Sequence, residues 1–165
     1  MSAKNYIELL GLLRHPEGGY YKETYRSVDK IAAGCLPSFF GGDRNISTAI
    51  YYLLEQGDFS AFHRIKSDEC WHFYAGQTLL VHVIHVSGQY QCMHLGQNLD
   101  KGEQFQFVVP AGAWFASEPA VDTSFSLVGC TVAPGFDFND FEMAAKAQLQ
   151  QSFPQHSAII EKLCR

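Results

Sequence analysis

Positive charge is scarce in this sequence. Twelve Lys and Arg stand against seventeen Asp and Glu, a formal net charge of -5, and no run of basic residues is present that could track a phosphate backbone. Nucleic acid is therefore not expected as a partner. Long apolar runs are missing too, since nothing approaches the ~18 consecutive apolar residues of a membrane span. The opening MSAKNYIELLGLL has no basic stretch, apolar run or small-residue cleavage site of a secretory signal. The expectation is a cytoplasmic protein with no membrane partner. Cysteine is sparse and odd in number: Cys35, Cys70, Cys92, Cys130 and Cys164 are widely spread with no C-x-x-C pair. That excludes a disulfide framework and a zinc knuckle, and leaves buried or idle thiols as the expectation. Internal repeats and low-complexity tracts are absent as well.

What is present suits a folded chain. Hydrophobic residues make up 47% and charged residues 18% of 165 positions, the composition and length of one globular domain spanning 1–165. Tyr6, Leu9, Leu10 and Leu13 recur at helical spacing behind Ser2 as N-cap, which predicts a short amphipathic helix. His15-Pro16-Glu17-Gly18-Gly19 stops it. A strand is expected over Tyr20 to Arg26, followed by a long loop to about Arg44, and loops of that length are often lids or interface arms. From Ser47 onward short β runs follow one another at near-regular intervals: STAIYYLL, AFHRI, CWHFYA, LLVHVIHV, QYQCMHL, QFQFVVP and SFSLVGCTV. Without helices between them, they predict an antiparallel sandwich or barrel, over about 20–135. A helical tail over 139–164 is expected to start at Asn139 with Glu142 as a capping box, and to be split at Pro154.

The stretch GDFSAFHRIKSDECWHFYAG, Gly57 to Gly76, carries the chemistry. It resembles the first cupin motif, G-(x)5-H-x-H-(x)3,4-E-(x)6-G. Gly57, His63, Glu69 and Gly76 fall in register, and Ile65 stands where the second histidine belongs. VPAGAWF resembles the second motif, P-x-G-x-x-H, with Pro110 and Gly112 in place and Phe115 instead of the third histidine. The resemblance narrows to an uncharacterised branch, cupin superfamily 5, through HPEGGYYKETYRS, STAIYYLL, HRIKSDECWHFYAG and APGFDFNDFE, and covers about Tyr6 to Glu142. It implies an all-β double-stranded β-helix, a jelly-roll barrel. It also implies that a bound metal or other cofactor is not expected, and that the nearest functional comparison is to metal-free sugar-nucleotide epimerases and isomerases.

The lost ligands carry a physical argument of their own. A catalytic zinc or iron takes three protein ligands, and His63 and Glu69 supply two. Strand alternation puts Ile65 on the His63 face, a hydrocarbon where a cation needs a lone pair. The same alternation places Trp71 and Phe73 with Glu69, and Cys70, His72 and Tyr74 on the opposite face. With Phe115 across the barrel, Trp71 and Phe73 are expected to form flat apolar walls for a small polar ring.

His63 is the expected general base, oriented by Glu69, with Tyr25 and Arg26 as sources of a second acid/base group. Beside the metal-independent epimerase or isomerase stand two alternatives. One is a metal-dependent cupin oxygenase or isomerase, in which His82 or His72 completes the ligand set. The other is a non-catalytic metabolite-binding module in which His63 is a remnant of a metal site. His15, His94 and His156 read as loop or surface residues, and Trp114 as a loop residue. Outward aromatic and histidine residues, with the 27–44 loop, make a homodimer the expected assembly.

Overall fold

A computed structural model describes residues 1–165. Two antiparallel sheets face each other across the main core. The six-stranded sheet runs β1 (Leu13–Arg14), β2 (Tyr20–Arg26), β5 (Thr48–Glu55), β12 (Phe125–Ala133), β7 (Asp68–Gly76), β10 (Gln106–Val109). The five-stranded sheet runs β13 (Glu142–Met143), β6 (Ser60–Arg64), β11 (Trp114–Pro119), β8 (Leu79–Ile84), β9 (Tyr90–Leu95). A two-stranded ribbon, β3 (Lys30–Ile31) with β4 (Arg44–Asn45), lies in the long loop before β5. The helices are α1 (Ala3–Leu10), α2 (Lys146–Ser152) and α3 (Ser157–Leu163). This is an antiparallel barrel, as the strand pattern predicts, and the jelly-roll form that the resemblance implies.

Alternation along the strands sorts the side chains into three cores. Ile65, Trp71, Val81, Val83, Phe115, Val128 and Val132 point between the sheets. Phe62, Ile84 and Ala116 point outward from the five-stranded sheet and are covered by Leu149 of α2 and Ile160 and Leu163 of α3. Leu53 and Leu127 point outward from the six-stranded sheet beneath Tyr6, Ile7 and Leu10 of α1. Ser2 caps α1 in a capping box with Asn5. Leu9 and Leu13 lie outside that contact and are exposed.

Four sequence expectations are corrected. The tail does not start at Asn139: Glu142 and Met143 pair with Arg64 and His63, and helix begins at Lys146. Ladder bonds and an ion pair from Glu142 to Arg64 at 2.7 Å hold that segment extended. Pro154 does separate α2 from α3, through a 3-10 turn. Trp114 and Phe115 belong to a strand, β11, paired on both edges, and not to a loop. The sheets also reach beyond 20–135, to Leu13 at one end and Met143 at the other. His82 faces away from the barrel interior, because its neighbours Val81 and Val83 take the inward positions. It is buried against Tyr90, with Nδ1 2.7 Å from the Tyr90 hydroxyl and Nε2 3.4 Å from Glu118. No metal at the barrel centre is within its reach.

Candidate functional site

A cavity of about 140 Å³ opens at one end of the barrel, between the two sheets. The five-stranded sheet contributes His63, and β7 and β12 of the other sheet contribute Glu69, Cys130 and Val132. Two further segments close it: the turn after β1, carrying His15 and Glu17, and the stretch after β12, carrying Phe136, Phe138 and Phe141.

Glu17 is the residue that reading the sequence missed, and it sits at the centre. Two glycines follow it with left-handed φ, +118 at Gly18 and +70 at Gly19. At Gly18 a Cβ would lie 2.0 Å from the Phe59 carbonyl oxygen, so only glycine lets the turn pack so deep. The turn is pinned by Ala61 N–H donating to the Glu17 carbonyl at 2.9 Å and by the Tyr52 hydroxyl donating to the Gly18 carbonyl at 2.7 Å. The Glu17 carboxyl is thereby buried, with Oε2 3.1 Å from His63 Nε2.

His63 has its tautomer set from the other side of the ring. Nδ1 lies 2.7 Å from the Ala61 carbonyl, and a carbonyl only accepts, so Nδ1 carries a hydrogen and Nε2 faces Glu17. Burial pulls the imidazole down to about 4 and pushes the Glu17 carboxyl up. Both effects favour the uncharged forms, a carboxyl donating its proton to Nε2. His15 completes the row: its Nδ1 accepts from the Glu17 backbone N–H at 3.3 Å and lies 3.6 Å from Oε1. Burial lowers its pKa as well. The sequence expectation that His15 is a loop or surface residue is therefore corrected, since its side chain is 8% exposed and lines the cavity.

Glu69 lies on the same cavity and is buried, but it is not the carboxylate that orients His63. Its polar neighbour is the Cys130 thiol, and burial, beside the Glu17 carboxyl, pushes it up to about 8. Burial therefore favours its protonated form at neutral pH. Glu69 and the Glu17–His63 pair thus hold protons on opposing sheets, Glu17 through its bond to β6 and Glu69 on β7.

The expected walls are elsewhere. Trp71 is 1% exposed, packed on Tyr52 and Phe115 beneath the cavity and outside its lining. Phe73 stands four residues beyond Glu69, ~13 Å at the usual strand rise, and borders a separate depression with Gln77 and Lys101. Phe115 is core, its ring 4.0 Å from that of His63, so it backs the imidazole and does not face a ligand. Tyr25 points outward, and Arg26 inward, because a bulge between Glu23 and Tyr25 shifts the parity of β2. Arg26 lines the cavity with its donors engaged by Glu23, Asn45 and the Phe136 carbonyl. The flat walls are Phe136, Phe138 and Phe141, with ring centroids 5.0 to 6.1 Å apart. Their signal was the F-x-F-x-x-F spacing after Gly135 in GFDFNDF.

The donor set does not fit a cupin metal. Ile65 and Phe115 fill two ligand positions with hydrocarbon, His63 Nε2 is engaged by Glu17, and no three His, Cys, Asp or Glu side chains gather to hold an ion. His72, the other proposed substitute, faces outward and bonds Thr131 at 3.1 Å and Gln106 at 2.9 Å.

Comparison with known proteins agrees with this geometry at the level of fold and family. A family model described as the cupin superfamily (DUF985) matches residues 4–144. A solved structure of a hypothetical protein from Leishmania major is 37% identical, covers 99% of each chain and superposes with a TM-score of 0.93. A protein of Shewanella oneidensis is 42% identical over 100% of this chain and 98% of its own, with a TM-score of 0.89. An uncharacterized protein of Saccharomyces cerevisiae is 35% identical over 138 residues, 78% of this chain and 68% of that relative. Oxalate decarboxylase from Bacillus subtilis, 16% identical with a TM-score of 0.56, matches 91% of this chain with 36% of its own length and shares the fold alone. No helix is long and apolar enough to cross a membrane.

Proposed function

The chain belongs to the DUF985 family of the cupin superfamily, and from that premise we propose that it is a metal-independent small-molecule cupin acting as an epimerase or isomerase on a carbohydrate-like metabolite. The observation that carries this reading is the one-proton pair of Glu17 and His63, 3.1 Å apart in the cavity wall. A cavity of about 140 Å³ holds one six-membered ring, since a void near 150 Å³ accommodates benzene.

Proton transfer follows from the arrangement. The Glu17 proton passes from Oε2 to His63 Nε2, leaving an imidazolium held by the Ala61 carbonyl and a carboxylate beside the Ser60 and Tyr52 hydroxyls. Oε1 then takes the proton from a carbon beside a carbonyl of the ring. Glu69, a protonated acid on the opposite sheet, returns a proton to the other face of that carbon, which inverts it. Reversing the order runs the reaction back. Glu69 fills the role of second group that Tyr25 and Arg26 were expected to supply, while His63 keeps its place as proton acceptor through Glu17.

The test is solvent-deuterium exchange into carbonyl-bearing ring metabolites. Wild-type protein is expected to label the inverted carbon, and Glu17→Gln to slow labelling by about 10²-fold or more, the usual worth of a positioned acid/base. A ligand that binds without any exchange makes the chain a binding module.

A further inference from the structure

The cavity is rich in carboxyls and poor in free donors. Three carboxyls line it, Glu17, Glu23 and Glu69, against one cation, Arg26. Arg26 has little left to offer. Its N–H groups donate to Glu23 at 3.0 and 2.7 Å, to Asn45 Oδ1 at 2.9 Å and to the Phe136 carbonyl at 3.0 Å, which occupies four of the five donors a guanidinium has. A phosphate or carboxylate entering here meets no free positive group.

Glu69 points to what enters instead. Its side chain is 8% exposed and lines the cavity, no N–H or O–H of the chain bonds it, and its polar neighbour is the weakly donating Cys130 thiol. A buried carboxyl without a strong donor calls for an explanation. Glu17 also has Oε1 turned to acceptor duty, because His15 presents Nδ1, which already accepts from the Glu17 N–H at 3.3 Å. The walls therefore offer acceptors and want a donor-rich guest. Around them stand Phe136, Phe138 and Phe141, aromatic faces with no hydroxyl of their own, and Phe138 is 59% exposed at the mouth. Carboxyls behind a ring of aromatic faces are the surroundings that recognise an organic cation.

We infer that the group bound is an ammonium on a ring-sized metabolite, its N–H donors directed at Glu17 and Glu69 and its charge facing Phe136, Phe138 and Phe141. This rests on the cavity reading above and narrows its substrate class from any carbohydrate-like ring to an amine-bearing one. Nucleotide-linked substrates, which carry phosphates, are disfavoured in this cavity. Because burial favours a protonated Glu69, binding of the cation expels that proton. With an amine bound the two carboxyls exchange roles: ionised Glu69 takes the proton from carbon and protonated Glu17 returns one to the other face.

Three probes share one ring and differ in charge: D-glucosamine, D-glucose and D-glucuronate. By titration calorimetry, glucosamine is expected to bind about tenfold or more tighter than glucose, with glucuronate weakest, and to release protons to buffer. Glu69→Gln, checked for folding by its melting curve, is expected to erase the gap between glucosamine and glucose. Glucose or glucuronate binding as tightly as glucosamine, a preference that survives in E69Q, or no binding of any probe at millimolar concentration overturns the inference. Deuterium exchange separates it from the catalytic proposal. Exchange without a charge preference removes the cation and keeps the isomerase, and a charge preference without exchange does the reverse.

Discussion

At position 18 the chain has room for a hydrogen atom and nothing larger. A Cβ there would sit 2.0 Å from the Phe59 carbonyl oxygen, and φ is +118, so clash and backbone strain act together. The Arg165 guanidinium, 2.5 Å from that Cβ, can swing aside, but the Phe59 oxygen belongs to the backbone between β5 and β6 and cannot. Gly18→Ala is expected to cost about 2 kcal/mol or more, the upper range for a residue forced into a disfavoured backbone region. Chemical denaturation measures this directly. Since Glu17 precedes this glycine, the same variant is expected to withdraw its carboxyl from His63 and slow deuterium exchange. A variant as stable as wild type would mean that the turn is free to move, and that Glu17 is not held where the one-proton pair requires.

At the scale of elements, the long loop and the aromatic wall are joined by one buried ion pair. Arg44 on β4 donates through Nε and Nη2 to the two Asp140 oxygens at 2.5 and 2.7 Å, with side chains 5% and 4% exposed. Asp140 ends the turn that carries Phe138. Although burial alone would raise its pKa, bonds from Arg44 and Lys66 bring the carboxyl below its usual range. Removing Arg44 leaves a buried carboxylate with Lys66 alone, 3.3 Å away. Arg44→Ala is expected to cost about 3 kcal/mol in urea unfolding, as for a broken buried pair, and Lys66→Ala under about 1 kcal/mol, as for a more exposed partner. Equal costs would show that the clamp is a surface contact. Such elements also mark how far the sequence could be read. The strand runs and the Gly57, His63, Glu69, Gly76 spacing were legible because periodicity is a local signal. Glu17, His15 and the Arg44–Asp140 clamp were not, because each acquires its role from a partner distant in sequence. The bulge in β2 inverted the reading of Tyr25, since one extra residue changes the face of every side chain after it. β11 was read as loop because WFASEP mixes small and polar residues with aromatics, and only pairing on both edges makes it a central strand.

For the whole molecule, the buried site sets a stability profile with two arms of opposite sign. Glu69 has its pKa raised from 4.5 to about 8, so the folded state holds this proton more tightly than the unfolded chain. Its stabilisation is complete below 4.5 and is lost as pH climbs through about 8, at up to about 1.4 kcal/mol per pH unit. Glu17, raised by burial, adds to the same arm. His63 is lowered from 6.5 to about 4, so its contribution is complete above 6.5 and is lost as pH falls through about 4. Between 4.5 and 6.5 the arms oppose each other. Above 6.5 only the carboxyls act, which makes the protein more stable at mildly acidic pH than at pH 8. Melting temperature followed across this range is expected to fall toward the alkaline end in wild type and to fall less in Glu69→Gln, which has no proton to lose. Glu17→Gln should flatten the alkaline arm as well, whereas a His63 variant should flatten the acid arm alone. Wild type and E69Q falling with the same slope would mean that Glu69 ionises as freely in the folded protein as in the unfolded chain. The cavity would then be wet, and its carboxyl would be no acid at neutral pH.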